Sequence, residues 1–165
     1  MGRAGPLITS TRDSVGHVTG FFHGGVTVSD MDRSLVFYRD GLELEQEFDR
    51  LLDAPYLKEV LGLDFEHIRA VYLRLPGGGF VELLDYQGIE RLPAASRPCD
   101  PGGGHLCLYV DDVQAVYDRL SALGFRARHD GVTDITAGPN AGARSAYFAD
   151  PDGYYVELFQ KRTGA

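Results

Sequence analysis

Two stretches of this chain repeat each other in the same order, and that repeat restricts the fold more than any other feature. His23-Gly-Gly-Val-Thr-Val-Ser-Asp30, moved by 82 positions, falls on His105-Leu-Cys-Leu-Tyr-Val-Asp-Asp112. Tyr72-Leu-Arg-Leu-Pro-Gly-Gly-Gly-Phe-Val-Glu-Leu83, moved by 75, falls on Tyr147-Phe-Ala-Asp-Pro-Asp-Gly-Tyr-Tyr-Val-Glu-Leu158. Each unit opens on a His and closes on a Glu. The first carries about seven more residues between those anchors.

The coarse order is the same in both units. A strand begins at each His (23–28 and 105–110), and a helix follows, capped by Ser29 or Asp30 and by Asp111 or Asp112. Gly41 and Gly124 stand where a helix ends in a left-handed residue. Further strands are expected at 42–48 and 125–129, 70–75 and 144–149, and 80–86 and 154–160, with tight turns at Pro76–Gly79 and Asp150–Gly153. Each half reads βαβββ, so the expected fold is α+β: tandem modules forming a curled mixed sheet. The expected layout is an extension at 1–19, a first module at 20–90, a Pro- and Gly-containing link at 91–103 and a second module at 104–162, the modules forming one domain. The extra piece at 51–66 holds a short helical pattern near Tyr56–Leu61.

Strand parity places the polar groups. His23, Gly25 and Thr27 share one face, and Gly24, Val26 and Val28 the other. In the copy, His105, Cys107 and Tyr109 lie opposite Leu106, Leu108 and Val110. The apolar sets pack under the helices, so both histidines face the concave side. Glu82 lies there with Phe80 and Leu84, and Glu157 with Tyr155 and Phe159. An ionised carboxylate among such neighbours needs compensation. Two Glu paired with two His point to one divalent cation held by His23, Glu82, His105 and Glu157. Imidazole with carboxylate suits Zn²⁺, Ni²⁺, Co²⁺, Mn²⁺ or Fe²⁺. The same parity puts Tyr72, Phe80, Tyr109, Tyr147 and Tyr155 in the pocket, suiting an apolar or aromatic substrate with a pair of oxygens. Arg74 or Arg144 is placed to meet a carboxylate. His17, His67 and His129 match nothing in the repeat and are read as surface residues.

Composition narrows the classes. Sixteen basic residues against 24 acidic ones leave a net charge of −8, with no basic stripe, so a nucleic-acid partner is not expected. No apolar run reaches the roughly 20 residues that cross a bilayer. No signal peptide is read at the start. Two cysteines, Cys99 and Cys107, make no disulfide framework, and a reducing cytoplasm is the expected location.

On these residues the chain resembles the vicinal oxygen chelate superfamily, which includes glyoxalase I, methylmalonyl-CoA epimerase, extradiol dioxygenases and the fosfomycin and bleomycin resistance proteins. The matching text is His23 with Val28-Ser-Asp-Met-Asp-Arg-Ser-Leu-Val-Phe-Tyr38, Gly41-Leu42, Val81-Glu-Leu-Leu84, His105 with Val110-Asp-Asp112, and Asp150-Pro-Asp-Gly-Tyr-Tyr-Val-Glu157. The resemblance spans about 20–162. It implies that the four donors fall on the family's ligand positions, within one chain or across a homodimer. It also implies a glyoxalase-type isomerase or lyase, in which the ion stabilises an enediolate or enolate of a small substrate. Glu157 or Glu82 would move the proton. The glutathione-holding Arg and Asn of glyoxalase I fall on Thr27 and Tyr86. A ring-cleaving dioxygenase using only His23, His105 and Glu157, or a drug-binding resistance protein, are the alternative expectations.

Overall fold

A computed structural model describes residues 16–92, 97–162 and 164. Most of the expected extension at 1–19 and the middle of the expected link, 93–96, lie outside the described residues. The first module runs β1 (His23–Thr27), α1 (Met31–Leu35), β2 (Glu45–Leu52), α2 (Pro55–Leu61), β3 (His67–Arg74) and β4 (Phe80–Gln87). The second runs β5 (His105–Tyr109), α3 (Val113–Ala122), β6 (Thr133–Asp134), β7 (Arg144–Ala149) and β8 (Tyr155–Gln160). The sheets have the orders β1-β4-β3-β2 and β5-β8-β7-β6, with the first pair in each parallel and the rest antiparallel. This is the α+β arrangement of two mixed sheets that the repeat predicts. Among the described residues no helix is long and apolar enough to cross a membrane.

Local chemistry sets the element ends. The Asp30 side chain accepts from the Arg33 N–H, and that of Asp112 accepts from the Gln114 and Ala115 N–H groups. The Pro76–Gly79 turn closes with the Leu75 N–H on the Gly79 carbonyl at 3.0 Å. Gly77, Gly78 and Gly79 all take the positive φ that a side chain resists.

The two apolar faces share one core. Val26, Val71, Leu73, Val81 and Leu83 from the first sheet, with Val28 just beyond β1, join Ala146, Phe148, Val156 and Leu158 from the second, with Leu35, Phe37, Val116 and Leu120 between them. Each fully buried large aliphatic contributes about 1.5–3 kcal/mol. Polar contacts also cross between the modules. The buried Tyr38 hydroxyl donates to Asp150 Oδ2 at 2.9 Å, and Arg119 Nε donates to the Gly41 carbonyl at 2.8 Å. The Phe37 and Phe125 rings meet edge to face at 4.9 Å.

Three details differ from the sequence expectation. Gly41 is not a left-handed cap: α1 continues as a π-helical turn, Val36–Gly41, and its φ is not positive. A Cβ at Gly41 would lie 2.5 Å from Leu120 Cδ2, so the glycine is there to let α3 approach closely. Gly124, by contrast, has the expected left-handed φ of 89°. The strand expected at 125–129 reduces to one bridge, Ala127 to Phe148, and the edge strand forms later as β6. Gly131, with a φ of 89°, turns the chain between them. Finally, β2 starts later than expected, behind the positive φ of Glu43.

Candidate metal centre

Strand pairing builds the same small cluster twice. In the first module Gly25 is the register partner of Glu82 across the β1–β4 pair, and Tyr72 faces Glu82 across β3–β4. His23 Nε2 therefore comes within 3.0 Å of Glu82 Oε2, and the Tyr72 hydroxyl lies 3.4 Å from His23 Nδ1. Phe22 packs on His23 at 4.7 Å and Phe48 stacks on Tyr72 at 4.4 Å. Glu82 is only 8% exposed. Burial, and then the Glu82 carboxylate beside it, push the Tyr72 phenol up to about 12.

In the second module Cys107 is the register partner of Glu157, and Tyr147 faces it from β7. His105 Nε2 lies 3.4 Å from Glu157 Oε2. The Tyr147 hydroxyl donates to that same oxygen at 2.8 Å and lies 3.2 Å from His105 Nε2. Ser145 donates to the other carboxylate oxygen at 3.0 Å. Burial, followed by the neighbouring carboxylate, raises the Tyr147 phenol well above its ordinary range and the Cys107 thiol to about 11.

Each cluster thus holds a carboxylate, an imidazole and a phenol on one face. Neither Glu82 nor Glu157 has a Lys or Arg partner among the described residues. A sheltered carboxylate supported only by imidazole and hydroxyl groups is short of positive charge, and a divalent cation would supply it. The donor chemistry therefore fits such an ion. The four groups form two pairs and not one quartet: among the described residues no three His, Cys, Asp or Glu side chains converge in a metal-holding group. The reason lies in the core. Both sheets turn their apolar faces toward one shared interior, so both donor faces turn away from it.

The other candidate pocket residues are spread along the two faces. Phe80 sits half-buried beside Phe22 and Tyr72. Arg74 pairs with Glu47 and lies over the Phe80 ring, and Arg144 pairs with Asp134 at 3.3 Å. Tyr109 is 71% exposed, with Lys161 Nζ 4.1 Å above its ring. Tyr155 lies beneath the Arg128 guanidinium, 5.3 Å from its ring centre. A cavity of about 530 Å³ adjoins Glu157, bounded by Arg128, His129, Thr133, Ile135, Ser145 and Tyr147. Ser145 and Arg128 are not among the residues the repeat points to. Strand parity does reach Ser145, which stands two residues before Tyr147 on one strand and so on the same face. Arg128 lies on an irregular segment with no periodicity to read.

Comparison with known proteins gives the family and agrees with the fold. The family profile described as the glyoxalase/bleomycin resistance protein/dioxygenase superfamily matches residues 14–158. A 2-epi-5-epi-valiolone epimerase from an Actinomyces species is 34% identical over 147 residues, covering 87% of this chain and 80% of that protein. A probable lactoylglutathione lyase from Vibrio cholerae is 28% identical, covering 85% and 89%. Among solved structures, a glyoxalase family protein from Bacillus cereus superposes with a TM-score of 0.75 at 16% identity, covering 91% of this chain and 99% of that one.

Proposed function

Since the chain belongs to the glyoxalase/bleomycin resistance protein/dioxygenase superfamily, we propose that it is a divalent-metal-dependent epimerase or isomerase whose site forms between two copies of the chain. His23 and Glu82 of one copy and His105 and Glu157 of a second would hold the ion. The observation that carries this is the repeated His–Glu–Tyr cluster, built twice with the same register on outward faces of one chain. Relatives of this chain include an epimerase and lactoylglutathione lyases. Thr27 and Tyr86 stand where glyoxalase I holds glutathione, so the epimerase reading is the better supported of the two.

When bound, the cation supplies Lewis acidity to two adjacent substrate oxygens, which acidifies the C–H beside a carbonyl. A ketone with a hydroxyl on the neighbouring carbon offers that oxygen pair. The protein's own part is to take that proton and return it to the other face or to the neighbouring carbon. Glu157 is anchored by Ser145 and Tyr147, whereas Glu82 has His23 and the Tyr72 hydroxyl beside it and no serine. Glu82 is therefore the carboxylate free to move the proton, and Glu157 the one that stays in place. The tyrosines, held neutral by burial, donate without competing as bases. Phe22, Phe48 and Phe80 give the His23–Tyr72 side of the site an aromatic wall.

Metal analysis of the purified protein, with solvent-deuterium exchange at the carbon beside the carbonyl of 2-hydroxy ketones, tests this. About one ion per chain and exchange lost on chelation are expected. A protein that takes up none of the five divalent ions, or that exchanges equally well without one, overturns it.

A further inference from the structure

Arg128 is held in place by a ring and not by a carboxylate. Its backbone N–H donates to the Tyr147 carbonyl at 2.7 Å, which fixes the residue beside the strand that carries Tyr147 and Ser145. Its Nη1 donates to the Tyr155 hydroxyl at 2.7 Å, with the guanidinium over that ring at 5.3 Å. Among the described residues it has no Asp or Glu partner, although acidic residues outnumber basic ones 24 to 16. A guanidinium carries five N–H donors, and the single bond to Tyr155 leaves most of them free. Arg128 borders the cavity of about 530 Å³ that Glu157 also lines. His129 and Thr133 add polar groups to that lining, while Ile135 and Ala146 supply apolar ones.

We infer that this cavity is a subsite for an anionic group of the substrate, a carboxylate or a phosphate ester, received by Arg128 beside Glu157, the carboxylate that stays in place. The planar fork suits either anion, and stacking on Tyr155 pre-orders it so that little conformational freedom is lost on binding. In a chain of net charge −8, an anion otherwise meets repulsion, so a local cation decides whether such a substrate is accepted. The inference rests on the epimerase reading for the role of Glu157, but not for anion binding itself.

Calorimetric titration of the purified protein with dihydroxyacetone, dihydroxyacetone phosphate and 3-hydroxypyruvate separates the sources, since all three share the adjacent oxygens and two carry an anion. One anionic ketone is expected to bind roughly ten- to a hundredfold more tightly than the neutral one, as befits a charged hydrogen bond. A preference for the phosphate assigns a phosphoryl subsite, and one for hydroxypyruvate a carboxylate subsite. Arg128→Met should reduce the preferred anion to the affinity of dihydroxyacetone, and Arg128→Lys should keep part of the preference. No anionic preference, or one that survives Arg128→Met, overturns the inference. Metal content and deuterium exchange are read separately. Their failure alongside an intact, Arg128-dependent anion preference would sink the proposed reaction and leave the subsite standing.

Discussion

Ser145 donates a hydrogen bond of 3.0 Å to Glu157, and the equivalent position in the first module is Ala70. The two halves are thus alike in donors but not in how firmly the carboxylates are held. Ser145→Ala removes a contribution of about 1 kcal/mol to holding Glu157. Ion affinity is expected to fall roughly fivefold. Glu157→Gln should lower ion affinity most, while Glu82→Gln should retain more of the ion and lose proton transfer. Calorimetric metal titration beside deuterium-exchange rates checks the split. Equal losses in both measurements for both variants would remove the division of labour.

The two donor pairs face away from a single core, which makes subunit complementation a sharp test. His23→Ala and His105→Ala homodimers should each be inactive. Mixed by unfolding and refolding together, they form heterodimers with one intact site and one doubly altered site. Random pairing restores roughly a quarter of the wild-type activity. No recovery in a mixture shown to contain heterodimers would place the site elsewhere.

Gly41 and Gly124 separate two uses of glycine. Gly41→Ala drives a Cβ to within 2.5 Å of Leu120 Cδ2 and 3.3 Å of the Val36 carbonyl, at an overpacking cost of about 1–3 kcal/mol. Gly124→Ala meets open space but must adopt a φ of 89°, which costs about 1–2 kcal/mol. Leu120→Ala should therefore cost less in the Gly41→Ala background than in the wild type, and the same in the Gly124→Ala background as in the wild type. Urea unfolding of the single and double variants measures this coupling.

Arg69 grips Asp49 with Nε at 3.0 Å and Nη2 at 2.7 Å, and reaches Asp32 with Nη1 at 2.8 Å. The hydrogen bonds hold the Asp49 carboxyl below its ordinary range. A lowered folded-state pKa contributes stability above the unfolded pKa of about 3.9, and that contribution disappears as pH falls through the folded value. Because the pair is partly solvated, Asp49→Asn is expected to cost about 0.5–1 kcal/mol at pH 7. The gap between variant and wild type should close below about pH 4. A gap that widens on acidification would contradict the assignment.

The repeat made much of this architecture readable. His23, Glu82, His105 and Glu157 were placed on matching faces by period-two alternation alone, and Tyr72 and Tyr147 followed from the same parity. The caps at Asp30 and Asp112 were legible because capping is a local hydrogen bond. What stayed hidden depends on distant parts of the chain. The close approach of Leu120 to Gly41 joins two modules, and no local pattern reports it. Likewise, face parity says which side chains share a surface, not which other surface it will meet. Arg128 was invisible for a third reason: its place is set by the single Ala127–Phe148 bridge and by Tyr155.

One interior serving both modules has a consequence for control. A lone copy carries two unfinished halves looking outward, and on the proposed reading neither can turn over substrate. At dilutions where copies separate, output would fall with the square of protein concentration. Abundance itself then acts as the switch, with no effector needed.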